Sequence, residues 1–318
     1  MNLKQLKYFL AIAECGTFLK AAEKVFVAQS ALSHQIALLE DELGTMLFHR
    51  SRRGVTLTEA GDVLMAHARS ILRQVEDAKA SLASLTDSPA GKVTFGIPHS
   101  VSNALALPLL QMIRKDLPRI HLELTEELTG NLIRQLHAGQ IHMAILFDDG
   151  SLEDFISQPL LTEKLSLIVP ADHPLDHASI TLHEALGMPL ILPAQPHGVR
   201  PLIEQAAANA GFAEPNVVAD ISSISILRTS LIAGMGCTLL PVMPLNNEIQ
   251  QGLLRSIAIV EPELSRTVTL CRSSHIPMSA AAASVWNACV ALTRSLCASV
   301  QWRDTAILGD DHETNSFH

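Results

Sequence analysis

The chain has 318 residues, of which 48% are hydrophobic and 17% charged, a composition that suits two or three folded domains and excludes a disordered chain. Its formal net charge is −9, which would disfavour DNA binding if the acidic residues were spread evenly. Residues 1–92, however, hold 11 Lys/Arg against 10 Asp/Glu, and the remainder 12 against 22. The first third is therefore close to neutral, and net charge does not exclude a nucleic-acid partner there.

The longest uncharged windows do not predict a membrane span. Thr229–Asn247 and Ser273–Thr293 are interrupted by prolines, glycines or polar side chains. The apolar run after Lys4 and Lys7 has six residues and ends at Glu14, which is too short for an export signal. The five cysteines are scattered without a CxxC pair, so we expect a cytoplasmic protein with reduced thiols.

The first 57 residues predict three short helices and a hairpin. Apolar residues at helical spacing define a first helix that ends at Gly16 and a second that Thr17 caps. A third helix is predicted from Gln29 to Leu43, with Gly44 as its stop. Two short apolar stretches then flank a basic turn, which is typical of a β-hairpin or wing.

Polar and basic side chains on these elements suit DNA recognition. A helix-turn-helix places the first turns of its second helix in the major groove, where polar side chains read base edges. A basic wing lies along phosphates or enters the minor groove. A solvated helix face and turn is the plainer alternative, but the order helix-helix-helix-wing favours DNA. The candidate DNA-binding residues are Gln29, Ser30, Ser33, His34, Arg50, Arg52 and Arg53.

A long helix follows, with Thr58 as its cap and a regular apolar seam. Its seam residues are spaced 4, 3, 4, 3, 4, 3, as in a coiled coil. We therefore expect a self-associating helix and a homodimer; the alternative is an amphipathic helix packed on its own domain. The candidate dimerisation residues are Leu64, Ile71, Val75, Leu82 and Leu85, with Ala68 and Ala78 between them.

After a linker at 87–91 the pattern changes to alternating strands and helices. We expect strands at 93–97, 120–125, 143–147, 165–169, 190–192, 217–221, 237–240 and 268–271, and helices at 103–115, 131–137, 199–210, 225–233 and 279–296. Such alternation is typical of a doubly wound α/β fold, which binds ligands at the carboxyl ends of its strands. The tail from Arg303 is expected to be disordered.

Residues 1–87 resemble the winged helix-turn-helix and linker helix of LysR-type transcriptional regulators. The matching segments are Leu6–Phe9, Gly16–Phe18, Ala21–Ala22, Ala28–Ser33, Gln35–Ile36, Leu39–Glu40, Leu43–Gly44, Leu47–Phe48, Arg50 and Val55–Gly61. Two positions depart from the family pattern. Leu19 stands where a small hydroxyl residue is usual, and His34 where Arg or Gln is common. The loss of a hydroxyl at 19 removes a phosphate or backbone contact, and the base preference at 34 is left open.

The rest of the chain is similar to the family's effector-binding domain, a two-lobed fold like that of periplasmic binding proteins. Gly139–Ile145 and Ala233–Pro241 carry this resemblance. Within the family, His67–Arg69, Ile71–Gln74 and Gly96–Ser100 are most similar to the nitrogen assimilation control branch. The resemblance implies binding to promoter DNA as a homodimer or homotetramer, a small-molecule effector of unknown identity, and RNA polymerase as a further partner. It implies no cofactor.

The resemblance also implies domain boundaries. We expect a DNA-binding domain at 1–58, a linker helix at 59–88, an effector domain at 92–302 and a disordered tail at 303–318. Within the effector domain, lobe I is expected at 92–162 and 265–302, and lobe II at 163–264.

The resemblance further implies an effector site. Ser100 and Thr129 each follow a strand and precede a helix, where free N–H groups favour an anion, and both are candidate contacts to a ligand carboxylate. Ser102, Phe147, His197 and Ser223 would line the same cleft. A capping or loop role is the alternative for each. Few cations are near, so the ligand is expected to be neutral or weakly anionic, and some family members act without one.

The sequence gives little support for an enzymatic, metal-binding or redox function. The sequence has no nucleophile, phosphate-loop or cofactor motif, so we do not expect an enzyme. His173 and His177 are four apart, but Pro174 lies between them and metal binding is not expected. Cys237 is on an expected buried strand, which disfavours a thiol switch. The alternatives kept are a small-molecule binding protein and a redox-sensing regulator that acts without a metabolite effector.

Overall fold

The computed structural model describes residues 1–51, 54–83, 88–148, 150, 152–194, 198–212 and 215–308. They form two compact units, one of Met1–Gly91 and His137–Gln140 and the other of Lys92–Leu136 and Ile141–His318. Four site candidates, Arg52, Arg53, Leu85 and His197, lie outside the described residues. No helix in the described ranges combines the length and apolar character that crossing a membrane requires.

The described residues of the first unit form four helices and one β-hairpin. They are α1 (Leu3–Cys15), α2 (Phe18–Lys24), α3 (Gln29–Leu43), β1 (Phe48–Ser51), β2 (Gly54–Leu57) and α4 (Glu59–Ala83). The predicted boundaries are confirmed at both glycines, because Gly16 (φ 68°) and Gly44 (φ 66°) take the left-handed conformation that ends a helix. The Thr17 side chain accepts a hydrogen bond from the Lys20 N–H and so caps α2 as predicted.

The core of this unit lies between α1, α2 and α3. Phe9, Ile12, Leu32 and Ile36 are fully buried there. The hairpin joins the same core through Phe48, whose ring centroid lies 5.2 Å from that of Phe9. The wing is therefore anchored to the helices by packing at its first strand.

The apolar seam of α4 divides into two halves. Ala68 is fully buried in the core of the first unit, and Leu64 and Ile71 pack against that core. Leu82, in contrast, is 70% exposed. The alternative of an amphipathic helix packed on its own domain therefore describes the N-terminal half of α4. Self-association by the remaining seam stays a prediction.

The second unit contains twelve strands and seven α-helices among the described residues. The strands are β3 (Gly91–Pro98), β4 (Ile120–Glu127), β5 (Met143–Asp148), β6 (Phe155–Lys164), β7 (Ser166–Pro170), β8 (Ser179–Thr181), β9 (Leu190–Leu192), β10 (Val217–Asp220), β11 (Thr238–Leu240), β12 (Leu254–Val260), β13 (Ser265–Ser273) and β14 (Thr305–Ile307). The helices are α5 (His99–Asp116), α6 (Thr129–His137), α7 (Leu182–Gly187), α8 (Val199–Asn209), α9 (Ile224–Ile232), α10 (Asn246–Gln250) and α11 (Ala280–Ala298).

The strands of this unit form separate sheets. One sheet has the order β14-β6-β13-β5-β3-β4, a second has the order β11-β7-β12-β8, and β9 pairs with β10. β3 and β5 run parallel, whereas β13 is antiparallel to both β5 and β6. Separate cores of buried apolar residues accompany the two larger sheets. The unit is thus an α/β structure with two lobes, and the expected lobe boundary at 162/163 falls inside β6.

Several elements of this unit were not predicted: β6, β8, α7, α10, β12 and β14. The expectation of a disordered tail from Arg303 is wrong for the residues that the structure describes. Trp302 is fully buried, and Thr305–Ile307 pair with β6 in antiparallel register. The acidic composition of the last ten residues led to this error, because it hid a three-residue strand and its tryptophan anchor. Residues 309–318 lie outside the described ranges.

Candidate functional site

The start of α3 presents the predicted recognition surface. Gln29, Ser30 and His34 are exposed, and Ser33 is half-buried. The residue before the helix is Ala28, which provides no side-chain cap for the first N–H groups. These amides and the polar side chains are therefore available to a ligand on the same end of the helix.

Arg50 and the α3 carboxylate Glu40 hold the first strand of the wing. Its Nη2 lies 3.0 Å from Oε2 of Glu40, a carboxylate that is 6% exposed. The other Glu40 oxygen accepts a hydrogen bond of 2.9 Å from the Leu47 N–H. The Arg50 guanidinium also lies 5.0 Å from the Phe18 ring centroid. Arg50 thus has a structural role within the first unit. Its contact with DNA stays a prediction.

The second strand of the wing is fastened to the turn between α1 and α2. The Val55 N–H donates a 2.8 Å hydrogen bond to the Gly16 carbonyl oxygen. Gly54 has φ 128°, and a Cβ there would lie 2.5 Å from that same oxygen. Only glycine permits this approach, so the wing is held by Glu40 at its first strand and by Gly16 at its second.

In the second unit, Ser100 contacts a buried arginine that the sequence analysis did not identify. Ser100 is fully buried in the first turn of α5, a helix without a side-chain cap at its start. Its Oγ accepts a 2.8 Å hydrogen bond from Nη2 of Arg266, which is 6% exposed. The guanidinium lies 3.6 Å from the ring centroid of Phe147, another predicted site residue. Ser100, Phe147 and Arg266 therefore form one cluster.

A buried carboxylate compensates most of the arginine charge. Oε1 of Glu163 accepts a 2.6 Å hydrogen bond from Nε of Arg266, and Oε2 lies 3.3 Å from the indole nitrogen of Trp302. Nη1 of Arg266 is buried and has no hydrogen-bond acceptor among the described residues. Burial lowers the pKa of the Arg266 guanidinium, against the opposing attraction of Glu163. The cluster thus contains one buried donor atom, Nη1 of Arg266, that is not hydrogen-bonded to any described residue.

Thr129 and Phe147 meet the start of α8. A Cβ on Gly198 would lie 2.7 Å from the Phe147 ring and 3.4 Å from Oγ1 of Thr129. Gly198, just before α8, therefore lies beside both the Phe147 ring and Thr129 at the start of α6. Ser102 and Ser223 take local roles instead: Ser102 donates to the His99 carbonyl, and Ser223 caps α9 by accepting from the Ile226 N–H. Their predicted ligand roles stay predictions.

Sequence reasoning missed Arg266 and Glu163 because they are 103 residues apart and are joined by the pairing of β13 with β6. No local signal marked them, because Thr162, Lys164, Ser265 and Thr267 beside them are polar, as is usual at exposed strand ends.

The four cysteines of the second unit are unsuited to a reactive thiol site. Burial raises the pKa of Cys237 to about 11 and the pKa values of Cys271 and Cys289 to about 12, and it also raises the pKa of Cys297. A redox-sensing cysteine requires the opposite, an exposed thiol with a lowered pKa.

Comparisons with known proteins agree with this division of the chain. Residues 3–62 match the family model of the bacterial regulatory helix-turn-helix proteins of the lysR family, and residues 86–294 match the LysR substrate binding domain. The chain is 38% identical to the nitrogen assimilation regulatory protein nac of Klebsiella aerogenes, over 76% of this chain and 78% of that protein. It is 32% identical to the hydrogen peroxide-inducible genes activator of Pectobacterium carotovorum subsp. carotovorum, over 87% of this chain and 92% of that protein.

Solved structures share the fold at lower identity. A full-length OxyR variant from Pseudomonas aeruginosa has a TM-score of 0.71 at 24% identity and covers 92% of this chain and 95% of its own. Full-length CbnR in complex with its target DNA has a TM-score of 0.68 at 21% identity and covers 93% and 99%. The chain therefore belongs to the LysR family and is a DNA-binding transcriptional regulator with an N-terminal helix-turn-helix domain and a C-terminal substrate-binding domain.

Proposed function

We propose that the protein is a cytoplasmic regulator without enzymatic activity that reads promoter DNA through the start of α3. The observation that supports this reading is the exposed row Gln29, Ser30 and His34 beside a wing that is held at both of its strands. In this proposal Gln29, Ser30, Ser33 and His34 contact base edges. The basic wing, including Arg52 and Arg53, contacts phosphates.

We also propose that an effector with one anionic group binds near Ser100, Thr129 and Arg266. Since the Ser100 oxygen accepts from Arg266, its proton is free to donate to the ligand. The buried Nη1 of Arg266 and the uncapped amides of α5 supply further donors. The sequence analysis expected few cations near the site and a neutral or weakly anionic ligand. Arg266 is such a cation, so an anionic ligand is now favoured.

Ligand entry at this site requires a rearrangement between the lobes. Ser100 is fully buried and Phe147 is 5% exposed, so a ligand reaches the serine only when Phe147 or the start of α8 moves. Binding then favours one lobe geometry over another, which is the condition for a ligand to shift a regulator between states.

The second half of the α4 seam, Val75 to Leu82, is proposed to join two copies of the chain. In this proposal the assembly on DNA is a tetramer, and RNA polymerase is a further partner.

The first experiment is selection of genomic fragments by the purified full-length chain, followed by footprinting and salt titration of the best site. We expect protection of two half-sites and an affinity that falls steeply with salt. Equal affinity for selected and random fragments at every salt concentration would contradict the proposed DNA reading.

Replacement Ser33→Ala is expected to reduce the discrimination between this operator and random DNA. The loss of one hydrogen bond to a base corresponds to about 1 kcal/mol, while affinity for random DNA stays the same. Ser299→Ala, at an exposed serine of the second unit, is the control and leaves discrimination unchanged. If Ser33→Ala discriminates as well as the wild type, Ser33 does not contact the bases.

A panel of small carboxylates, each with its neutral amide, tests the effector proposal by thermal unfolding. At a hundredfold excess over its Kd, a matching carboxylate stabilises the chain by about 2.7 kcal/mol. The amide gives no shift, and Thr129→Val removes the shift of the carboxylate. Equal shifts from an acid and its amide would show that the site does not select for charge.

A further inference from the structure

The turn between α2 and α3 carries a phenylalanine in a backbone conformation that favours glycine. Phe26 has φ 57°. Its N–H donates to the Glu23 carbonyl at 3.2 Å, and the Val27 N–H donates to the Ala22 carbonyl at 3.0 Å. These two bonds define a Schellman motif with Phe26 at the left-handed position, which is usually glycine or asparagine. A bulky residue there is a genuine outlier.

The packing of Phe26 does not compensate for this strain. Its side chain is 92% exposed, the largest exposed fraction among the exposed large hydrophobic residues of the described chain. The ring therefore gains almost nothing from burial within its own unit, although the helix end would form more easily with glycine. An outlier of this kind is a reason to look for a function outside the chain's own core.

The position of Phe26 places it beside the recognition surface. It precedes Gln29 by three residues, so the two Cα atoms are at most about 11 Å apart. The major groove is about 12 Å wide. When the start of α3 lies in the groove, as in helix-turn-helix complexes, the exposed ring lies at the edge of the same groove. The apolar feature that a major groove offers is the thymine C5-methyl group.

We propose that Phe26 is a specificity-determining DNA contact whose ring packs on a thymine methyl group at the edge of the operator half-site. This inference rests on the proposed reading of DNA by α3. Because an apolar contact displaces no counterion, its loss leaves the salt dependence of binding unchanged. Phe26 thus adds an apolar element to a surface whose other members are polar.

The chain contains a matched control for the backbone strain. Val300 follows α11 at φ 56°, with its N–H bonded to Cys297 and the Gln301 N–H bonded to Leu296. This is the same Schellman motif, and Val300 is also exposed at 70%. Asparagine tolerates the left-handed conformation, so Phe26→Asn and Val300→Asn relieve the same strain, but only the first removes the proposed contact.

The test combines these variants with operators in which single thymines are replaced by uracil. In the wild type, one uracil per half-site is expected to weaken binding about fivefold to tenfold. Phe26→Asn is expected to lose about tenfold for the thymine operator, with an equal or higher melting temperature, unchanged random-DNA affinity and unchanged salt slope. Phe26→Asn should also be insensitive to that uracil, whereas Val300→Asn behaves as the wild type on DNA.

Three results would overturn the inference. Operator affinity of Phe26→Asn equal to that of the wild type would place the ring off the DNA, and a partner protein would then be its target. Equal sensitivity of both proteins to every uracil would exclude the methyl contact. A lowered melting temperature would assign the ring to its own unit. If the wild type prefers its operator and Ser33→Ala weakens that preference, these results reject the Phe26 contact alone; without any operator preference both proposals fall.

Discussion

Replacement Glu163→Gln is expected to lower the free energy of unfolding of the second unit by about 3–5 kcal/mol. The substitution keeps the side-chain shape but leaves the Arg266 charge buried without its counter-ion. Arg266 is 6% exposed, and its other acceptor, the Ser100 oxygen, is neutral and does not balance the buried charge. The loss of a single charge therefore costs far more than an exposed ion pair would.

The two tryptophans of the chain make this effect measurable. Trp286 and Trp302 both belong to the second unit, so fluorescence during urea denaturation reports on that unit. The double variant Glu163→Gln, Arg266→Met is the control, and it should recover most of the lost stability because no charge remains buried. A change below about 1 kcal/mol in the single variant would mean that water reaches the guanidinium in solution.

Replacement Gly61→Ala is expected to destabilise the first unit by at least about 1–3 kcal/mol. A Cβ at this position would lie 2.3 Å from the Leu47 carbonyl oxygen and 2.9 Å from a Leu57 methyl group. The helix cannot shift freely, because the Gly61 N–H is bonded to the Thr58 side chain at 3.0 Å. The clash therefore separates α4 from the base of the wing, and DNA affinity should fall together with stability.

Hydrogen exchange of the α3 and wing amides measures this effect, with Gly187→Ala as the matched control. Gly187 ends α7 and has no atom within 4 Å of a built Cβ, so alanine there is neutral or slightly stabilising. Protection of the wing amides in Gly61→Ala equal to that of the wild type would show that the Leu47 carbonyl yields to the added methyl group.

Local signals explain why the first unit was predictable. Gly16, Thr17 and Gly44 fix helix ends through their own backbone or side chain, and apolar spacing placed α3 between Gln29 and the Gly44 stop. In α4 the same spacing was ambiguous. A seam of period 3.5 satisfies either a partner helix or the helix's own domain, and the first half of the seam packs on α1 and its neighbours.

Long-range pairing explains what remained hidden. β6 contains Pro159 and mixed polarity, so no local pattern marked it, yet it lies between β13 and β14 in the sheet. The buried Arg266–Glu163 pair depends on that sheet and could not be inferred without it. The resemblance supplied Ser100 and Phe147, and the structure adds the charged residues that surround them.

The short strand β14 protects the sheet of the second unit from association with other chains. It covers β6 along Leu161–Glu163, and the Leu308 N–H extends the ladder to Leu160. A chain shortened to residue 294, where the match to the substrate-binding family model ends, would lose both β14 and Trp302. β6 would then become an open edge strand with unpaired N–H and C=O groups, a template for aggregation. Fragments made for purification or crystallisation should therefore extend through residue 308.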